Sequence, residues 1–256
     1  MTGPDSTDQH HAVVTGGGSG VGAAIARELA EAGMAVTILG RGIEQLEAVS
    51  AGHPSITSHV GDVTDRAALE AAIDDARARS GPVDVMVASA GISGSKPFHR
   101  LTGDDLAEMM SVNVTGVFNS FQVALGDMRH RDRGRLIAIA STAGLTGYPY
   151  VSHYCASKHA VVGMVRAVAQ ELGSSGTTVN AVCPSYVETP MTDRTIDNIV
   201  AQTGRTREEA LAALVAANPQ RRLITPSEVA GTVAWLCSDA AAAVNGQAIA
   251  IDGGEL

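Results

Sequence analysis

Residues 152–164 read SHYCASKHAVVGM and set Tyr154 and Lys158 four positions apart among small and apolar neighbours. On a helix that spacing stacks the phenol and the ammonium on one face, a turn apart. A buried ammonium is unfavourable without a partner, so the pair needs either a structural or a chemical reason. At about 4 Å and an effective dielectric near 20, the ammonium favours phenolate by roughly 4 kcal/mol. That is about three pKa units off a starting value near 10, which brings the phenol into the working range of a general acid/base. The alternative is a Tyr–Lys pair on a wet helix face.

Other stretches offer partners for such chemistry. TGGGSGVG (15–22) holds Gly16, Gly20 and Gly22 where a tight turn, the close approach of a pyrophosphate and helix packing each ask for glycine. Gly18, Ser19 and Val21 complete the turn, whose free N–H groups at a helix start bind an anion. The same turn also serves methyltransferases and plain packing. LGR (39–41) ends with Gly40 and Arg41 where dinucleotide sites usually carry an acid. A guanidinium pairs with a 2′-phosphate that an acid would repel, which favours NADP(H) and leaves NAD(H) open; the alternative is a solvated arginine. Asp62, before Val63, either accepts a hydrogen bond from an adenine amino group or caps a turn. Ser141 closes IAIAS, and Asn113 in SVNVTG interrupts a long helix as a poor helix former.

These residues need elements to hold them, and the chain alternates accordingly. Strands are predicted over 11–15, 35–40, 55–60, 82–91, 134–141, 177–183 and 246–252. Helices fall between them, over 21–33, 43–50, 64–81, 104–128 and 152–173, with Thr64 or Asp65 and Thr102 as caps. After Pro184 the alternation pauses over about residues 185–224, an insert read as a substrate lid. Within it Thr206 and Glu209 have capping-box spacing, as do Thr225 and Glu228 just after it. The predicted fold is a single-domain, doubly wound (Rossmann-type) α/β sheet of about seven parallel strands with helices on both faces. Residues 1–10 read as a flexible tail and 11–256 as one dinucleotide-binding catalytic domain. Ligands then bind beyond the carboxyl ends of the strands, where strand order reverses, and every motif above follows a strand.

Composition narrows the class. With 45% apolar but only 3% aromatic residues, the core must be built from Ala, Val, Leu and Ile. The net charge of −9, without a basic tract, argues against nucleic acid as a partner. Cys155, Cys183 and Cys237 are scattered, in no metal-ligand spacing, as in reduced cytosolic proteins. No signal peptide and no run of about 18 uncharged apolar residues is visible, so the expected setting is cytoplasmic, with no membrane and no metal.

Taken together, TGGGSGVG, Asp62-Val63, Asn113, Ser141, the Tyr154-Cys-Ala-Ser-Lys158 run and Val179-Asn180-Ala-Val-Cys-Pro184 resemble the short-chain dehydrogenase/reductase family, in register from about residue 11 to 254. The resemblance implies hydride transfer between a nicotinamide and a ketone or secondary alcohol. Tyr154 would then move the substrate proton and Lys158 lower its pKa while holding the ribose. Ser141 would hydrogen-bond the carbonyl, and Asn113 position a relay water. Pro184, Val187 and Thr189 match positions at the carboxamide end of the cofactor. Two departures stand out. Ser89-Ala90-Gly91 replaces the usual Asn-Ala-Gly, and Pro184-Ser185 replaces Pro-Gly, which restricts the hinge backbone.

The pattern is similar to β-ketoacyl reductases, hydroxyacyl-CoA dehydrogenases and polyketide ketoreductases. The substrate expected is a small ketone or a β-keto/β-hydroxy acyl thioester, contacted by residues such as His99, Tyr148, Tyr150, His153, Tyr186 and Met191. His153 reads as packing or pocket wall. Arg129, Arg131 and Arg133 supply one half of a carrier-protein docking pattern, whereas Ser174 and Ser175 stand at the other. An oxidative NAD-dependent dehydrogenase and a catalytically silent dinucleotide sensor or scaffold are the alternatives. The family's habit implies a homotetramer or homodimer, with Gly163, Ala167 and Val168 permitting close helix packing.

Overall fold

In a computed structural model that describes residues 9–129 and 131–256, the chain forms one parallel sheet in the order β3-β2-β1-β4-β5-β6-β7. The strands are β1 (His11–Thr15), β2 (Ala35–Gly40), β3 (Ile56–Val60), β4 (Val85–Ala88), β5 (Gly134–Ile139), β6 (Thr177–Pro184) and β7 (Ala248–Ile251). Order reverses between β1 and β4, where Thr15 stands level with Leu39 on one side and Ala88 on the other. That reversal is the crevice at which open α/β sheets bind ligands.

The helices are α1 (Gly20–Glu31), α2 (Ile43–Ser50), α3 (Arg66–Ser80), α4 (Gly103–Met110), α5 (Gly116–Met128), α6 (Ser152–Glu171), α7 (Pro190–Thr203), α8 (Arg207–Leu214) and α9 (Pro226–Cys237). Alternation along β1 shows why both sheet faces are covered. Ala12 and Val14 pack with Ile25 and Leu29 of α1 and Val229 and Val233 of α9. Val13 points the other way, to Leu69 and Ile73 of α3, Phe121 of α5 and Val161 and Val165 of α6. Aliphatic side chains fill both layers, as the scarcity of aromatics requires.

Several boundaries differ from the sequence reading. β4 ends at Ala88 rather than 91, because the N–H groups of Ser89 and Ala90 turn to the Thr15 hydroxyl. β5 stops at Ile139 rather than 141, where Ser141 instead accepts from the Ala143 N–H at 3.1 Å and starts a 3₁₀ turn. The helix expected over 104–128 is interrupted by a π-helical turn at Ser111–Thr115 that carries Asn113; such turns recur at functional sites. The insert holds two helices, α7 and α8. Pro190 opens α7 without the loss of a helix hydrogen bond. The capping boxes of Thr206 with Glu209 and Thr225 with Glu228 both form. Residues 1–8 of the expected tail lie outside the described residues. Gln9 and His10 are anchored, through Gln9 Nε2 to the Gly33 carbonyl and the Ala35 N–H to the His10 carbonyl, each 2.9 Å.

Candidate active site

Gly16, Gly40, Arg41, Asp62, Val63, Ala90, Gly91, Ile92 and Val112 line one cleft at the carboxyl edge of β1, β2 and β4. The glycine turn at its floor is closely built. A Cβ on Gly22 would lie 2.3 Å from the Gly16 carbonyl oxygen, and one on Gly16, whose φ is +69°, 2.8 Å from the Ala90 backbone. Gly18 abuts α2 at Gln45, and Gly20, at φ +53°, faces Thr189 of the insert. Ser19 caps α1 in extended conformation without a side-chain hydrogen bond, and the first turn, with Val21, carries no acid. The positive end of α1 is therefore left for an anion.

At the adenosine end, Arg41 is exposed and makes no salt bridge among the described residues. Asp62 caps its own turn, accepting from the Thr64 N–H at 2.9 Å and hydroxyl at 2.8 Å through Oδ1. Those bonds, with a smaller contribution from the Arg41 charge, hold its carboxyl below the usual range. Val63 is buried against Gly116, and its carbonyl accepts from Asn119. An uncapped helix start, a glycine cradle and an unpaired guanidinium at one cleft are a fit for a phosphorylated dinucleotide.

Deeper in, α6 brings Tyr154 and Lys158 against Ser141. The Ser141 hydroxyl lowers the pKa of the Tyr154 phenol, but burial dominates and pushes it up to about 12. This corrects the sequence expectation. Lys158 Nζ sits 5.7 Å from the Tyr154 ring centroid and donates to the Ile139 carbonyl at 2.9 Å. Burial also brings the lysine down to about 8, so helical spacing alone did not deliver a lowered phenol.

Asn113 is fully buried. Its Oδ1 accepts the Ile92 N–H at 2.9 Å, and its Nδ2 donates to the Ile92 carbonyl and to Ser157 Oγ, each at 3.0 Å. A Cβ on Gly91 would lie 3.2 Å from Asn113 Oδ1 and 3.8 Å from Lys158 Nζ, so Gly91 leaves the space between them. Sequence reasoning missed Ser157, whose hydroxyl donates to the Tyr154 carbonyl at 2.8 Å, although it lies inside the quoted run. It also missed Thr15, buried directly before the glycines, whose oxygen accepts from Ser89 and Ala90 at 3.2 and 3.3 Å. The Ser89 hydroxyl itself makes no hydrogen bond among the described residues.

Over the site, Pro184 ends β6 and the insert is stitched down. The Glu188 N–H donates to the Ile224 carbonyl, the Ile224 N–H to the Tyr186 carbonyl, and Thr192 to the Val187 carbonyl at 2.6 Å. Asn198 of α7 reaches Ser95 at 2.9 Å, which joins the insert to the 92–99 loop. Ser185 is not at positive φ, so serine stands at the hinge without backbone strain, and its hydroxyl bonds Glu255. Tyr150, exposed and at φ +67°, stands at the rim, where the Lys96 N–H donates to its carbonyl. Tyr186 is held above the usual phenol range by burial. His153 is buried, with its pKa lowered by burial. His99 lies in a short 3₁₀ turn and Met191 in the first turn of α7.

The arginines before β5 lie at the amino edge of the sheet, opposite the site. There Arg131 pairs with Asp84 and Arg133 with Asp239, each at 2.8 Å. All three cysteines are buried and free. Among the described residues no His/Cys/Asp/Glu group is arranged to hold a metal, and no helix is long and apolar enough to cross a membrane.

Comparison with known proteins places this geometry. A family model described as Enoyl-(Acyl carrier protein) reductase matches residues 16–255. A Streptomyces virginiae protein named as a ketoacyl reductase of the monensin polyketide synthase is 41% identical over 249 residues, 95% of each chain. The 3-oxoacyl-[acyl-carrier-protein] reductase MabA of Mycobacterium bovis is 36% identical, covering 94% of this chain and 91% of its own. The crystal structure of an actinorhodin polyketide ketoreductase variant with NADPH superimposes with a TM-score of 0.93 at 38% identity over 97% of each chain.

Proposed function

The chain belongs to the short-chain dehydrogenase/reductase family, and from that premise we propose the roles of its residues in an NADP(H)-dependent reduction of ketones to secondary alcohols. The observation that carries the reading is the meeting of Ser141, Tyr154, Lys158 and Asn113 at the sheet edge that also bears the glycine turn. When bound, the dinucleotide supplies the hydride to the carbonyl carbon. Gly16, Gly18, Ser19, Gly20, Val21 and Gly22 would seat its pyrophosphate, Arg41 the 2′-phosphate, Asp62 and Val63 the adenine, and Ser89, Ala90 and Gly91 the adjoining ribose. Pro184, Val187 and Thr189 would take the carboxamide.

Tyr154 then donates its proton to the carbonyl oxygen, which Ser141 also holds. A phenol near 12 stands protonated at neutral pH, the state that reduction requires. Lys158, charged below about 8, stabilises the phenolate left behind, and Asn113 orders the path by which a proton returns. Low exposure of the lysine strengthens that interaction relative to water.

The substrate class we favour is a neutral β-keto ester or thioester. The described rim is aromatic, with Tyr148, Tyr150 and Tyr186, and Lys96 beside Tyr150 is paired with Asp105 at 2.7 Å. Residues 185–224 act as its lid within a single catalytic domain. The setting is cytoplasmic, and the exposed Leu106 of α4 and Phe118 of α5 support a homotetramer or homodimer, which light scattering would size. The direct test is NADPH oxidation with a panel of β-keto esters. Tyr154→Phe should lower kcat at least about 10³-fold while NADPH binding persists; a variant retaining a tenth of wild-type turnover would overturn the assignment.

A further inference from the structure

Glu255 follows β7 and occupies a position that the catalytic scheme does not use. The Tyr148 hydroxyl donates to its Oε1 at 2.5 Å and meets Thr142 Oγ1 at 3.0 Å. The Ser185 hydroxyl donates to Oε2 at 2.5 Å. Thr142 is the neighbour of Ser141, and Ser185 lies between Pro184 and Tyr186. One carboxylate therefore ties the loop of the proposed carbonyl-binding serine to the base of the insert. Its placement is enforced from behind, because Asp252 accepts the N–H groups of Gly254 and Leu256 at 2.9 and 3.0 Å. The turn runs through Gly253 and Gly254, both at positive φ.

The charge of this carboxylate is uncompensated. Among the described residues no Lys, Arg or His pairs with Glu255. Its field reaches the rim phenols, since Tyr148 and Tyr186 are both pushed further above the usual phenol range by its proximity. Tyr186 in turn lies close enough to Tyr154 to act on it. Hydroxyl donors satisfy both oxygens without neutralising them. An anion entering beside Tyr148 and Tyr186 meets that charge on its approach from solvent, over distances at which the repulsion acts and salt screens it.

Building on the reductase reading above, we propose that Glu255 is a specificity-determining residue that repels substrates bearing a free carboxylate, so that the site takes β-keto esters or thioesters and turns away the corresponding β-keto acids. The hydroxyls of Tyr148 and Ser185 position the carboxylate, and its charge discriminates.

The test compares ethyl acetoacetate with acetoacetate under NADPH, in wild type, Glu255→Gln and Ser185→Gly. The ratio of kcat/KM for the acid over that for the ester should rise about tenfold in Glu255→Gln, mainly through KM for the acid. Ser185→Gly keeps the charge and should leave the ratio near its wild-type value. Raising ionic strength should raise the ratio in wild type but not in Glu255→Gln, a readout that stands even if a variant folds poorly. A ratio that moves in neither the variant nor the salt series, while the ester is turned over, overturns this inference alone. Wild type that oxidises NADPH with neither compound overturns the reductase reading and this inference with it.

Discussion

Lys158 Nζ donates to the carbonyl of Ile139 at 2.9 Å while lying 5.7 Å from the centre of the Tyr154 ring. The lysine is thus tethered to the end of β5, below the phenol, by a group that cannot neutralise it. An ammonium almost fully removed from water pays in stability for its position, and its pKa of about 8, against an ordinary 10.5, measures the penalty.

That shift sets a pH-dependent stability. A lysine whose folded-state pKa is depressed carries fewer protons folded than unfolded between about 8 and 10.5, so stability rises with pH across that window. Below pH 8 the charged form disfavours the fold by about 3 kcal/mol. Lys158→Met removes this penalty but leaves the Ile139 carbonyl without its donor, worth about 1 kcal/mol. The variant should therefore be inactive yet about 2 kcal/mol more stable than wild type at pH 7 in urea unfolding. The advantage should shrink and vanish as pH rises towards 10. Equal or lower stability at pH 7 would show that the lysine is better solvated than its burial implies.

Thr15 carries a second, separable load. Its hydroxyl oxygen accepts the N–H groups of both Ser89 and Ala90 and is buried at the order reversal of the sheet. Thr15→Val keeps the shape and strands two donors, so stability should fall by about 2–4 kcal/mol. Ala90 and Gly91 line the cleft, so NADPH affinity measured by fluorescence titration should fall as well. Thr15→Ser should recover most of both losses.

Thr15 also marks the limit of what was legible in the chain. β1 and β2 are bounded by glycine clusters and charged turns, and their predicted limits agree with the structure at both ends. Thr102, Thr206 and Thr225 announce their helices through caps that form as read, and of the two candidates before α3 it is Asp65, not Thr64, that caps the helix. By contrast, β4 is three residues shorter at each end than the predicted 82–91, and at its carboxyl end nothing local reveals that a side chain on the neighbouring strand captures the next two N–H groups. The π-helical turn at Ser111–Thr115 was visible only as a poor helix former, since the Asn113 partners Ile92 and Ser157 are remote in sequence. α7 escaped notice because Thr192, Thr195, Ile196, Ile199 and Val200 dilute its helical signal. Spacing placed Tyr154 and Lys158 on one face, but it could not say which way the ammonium would turn.

Arg41 lends itself to the cleanest test of cofactor choice. It follows Gly40 at the end of β2, lies on the rim of the cleft and has no ion-pair partner among the described residues, so its charge is available to a 2′-phosphate. A charge-assisted, bidentate contact of this kind is worth about 1.5–3 kcal/mol, or roughly 10- to 100-fold in binding. Arg41→Asp replaces attraction with repulsion, and kcat/KM for NADPH should drop by about 100-fold. NADH lacks the phosphate and finds in aspartate an acceptor for its ribose hydroxyls, so its kcat/KM should hold or rise. Because Arg41 is exposed and unpaired, the substitution should shift unfolding stability by no more than about 0.5 kcal/mol, which separates lost recognition from lost folding. If the NADPH:NADH ratio stays within twofold of wild type, the phosphate is held by other residues and the reading of this strand end is wrong.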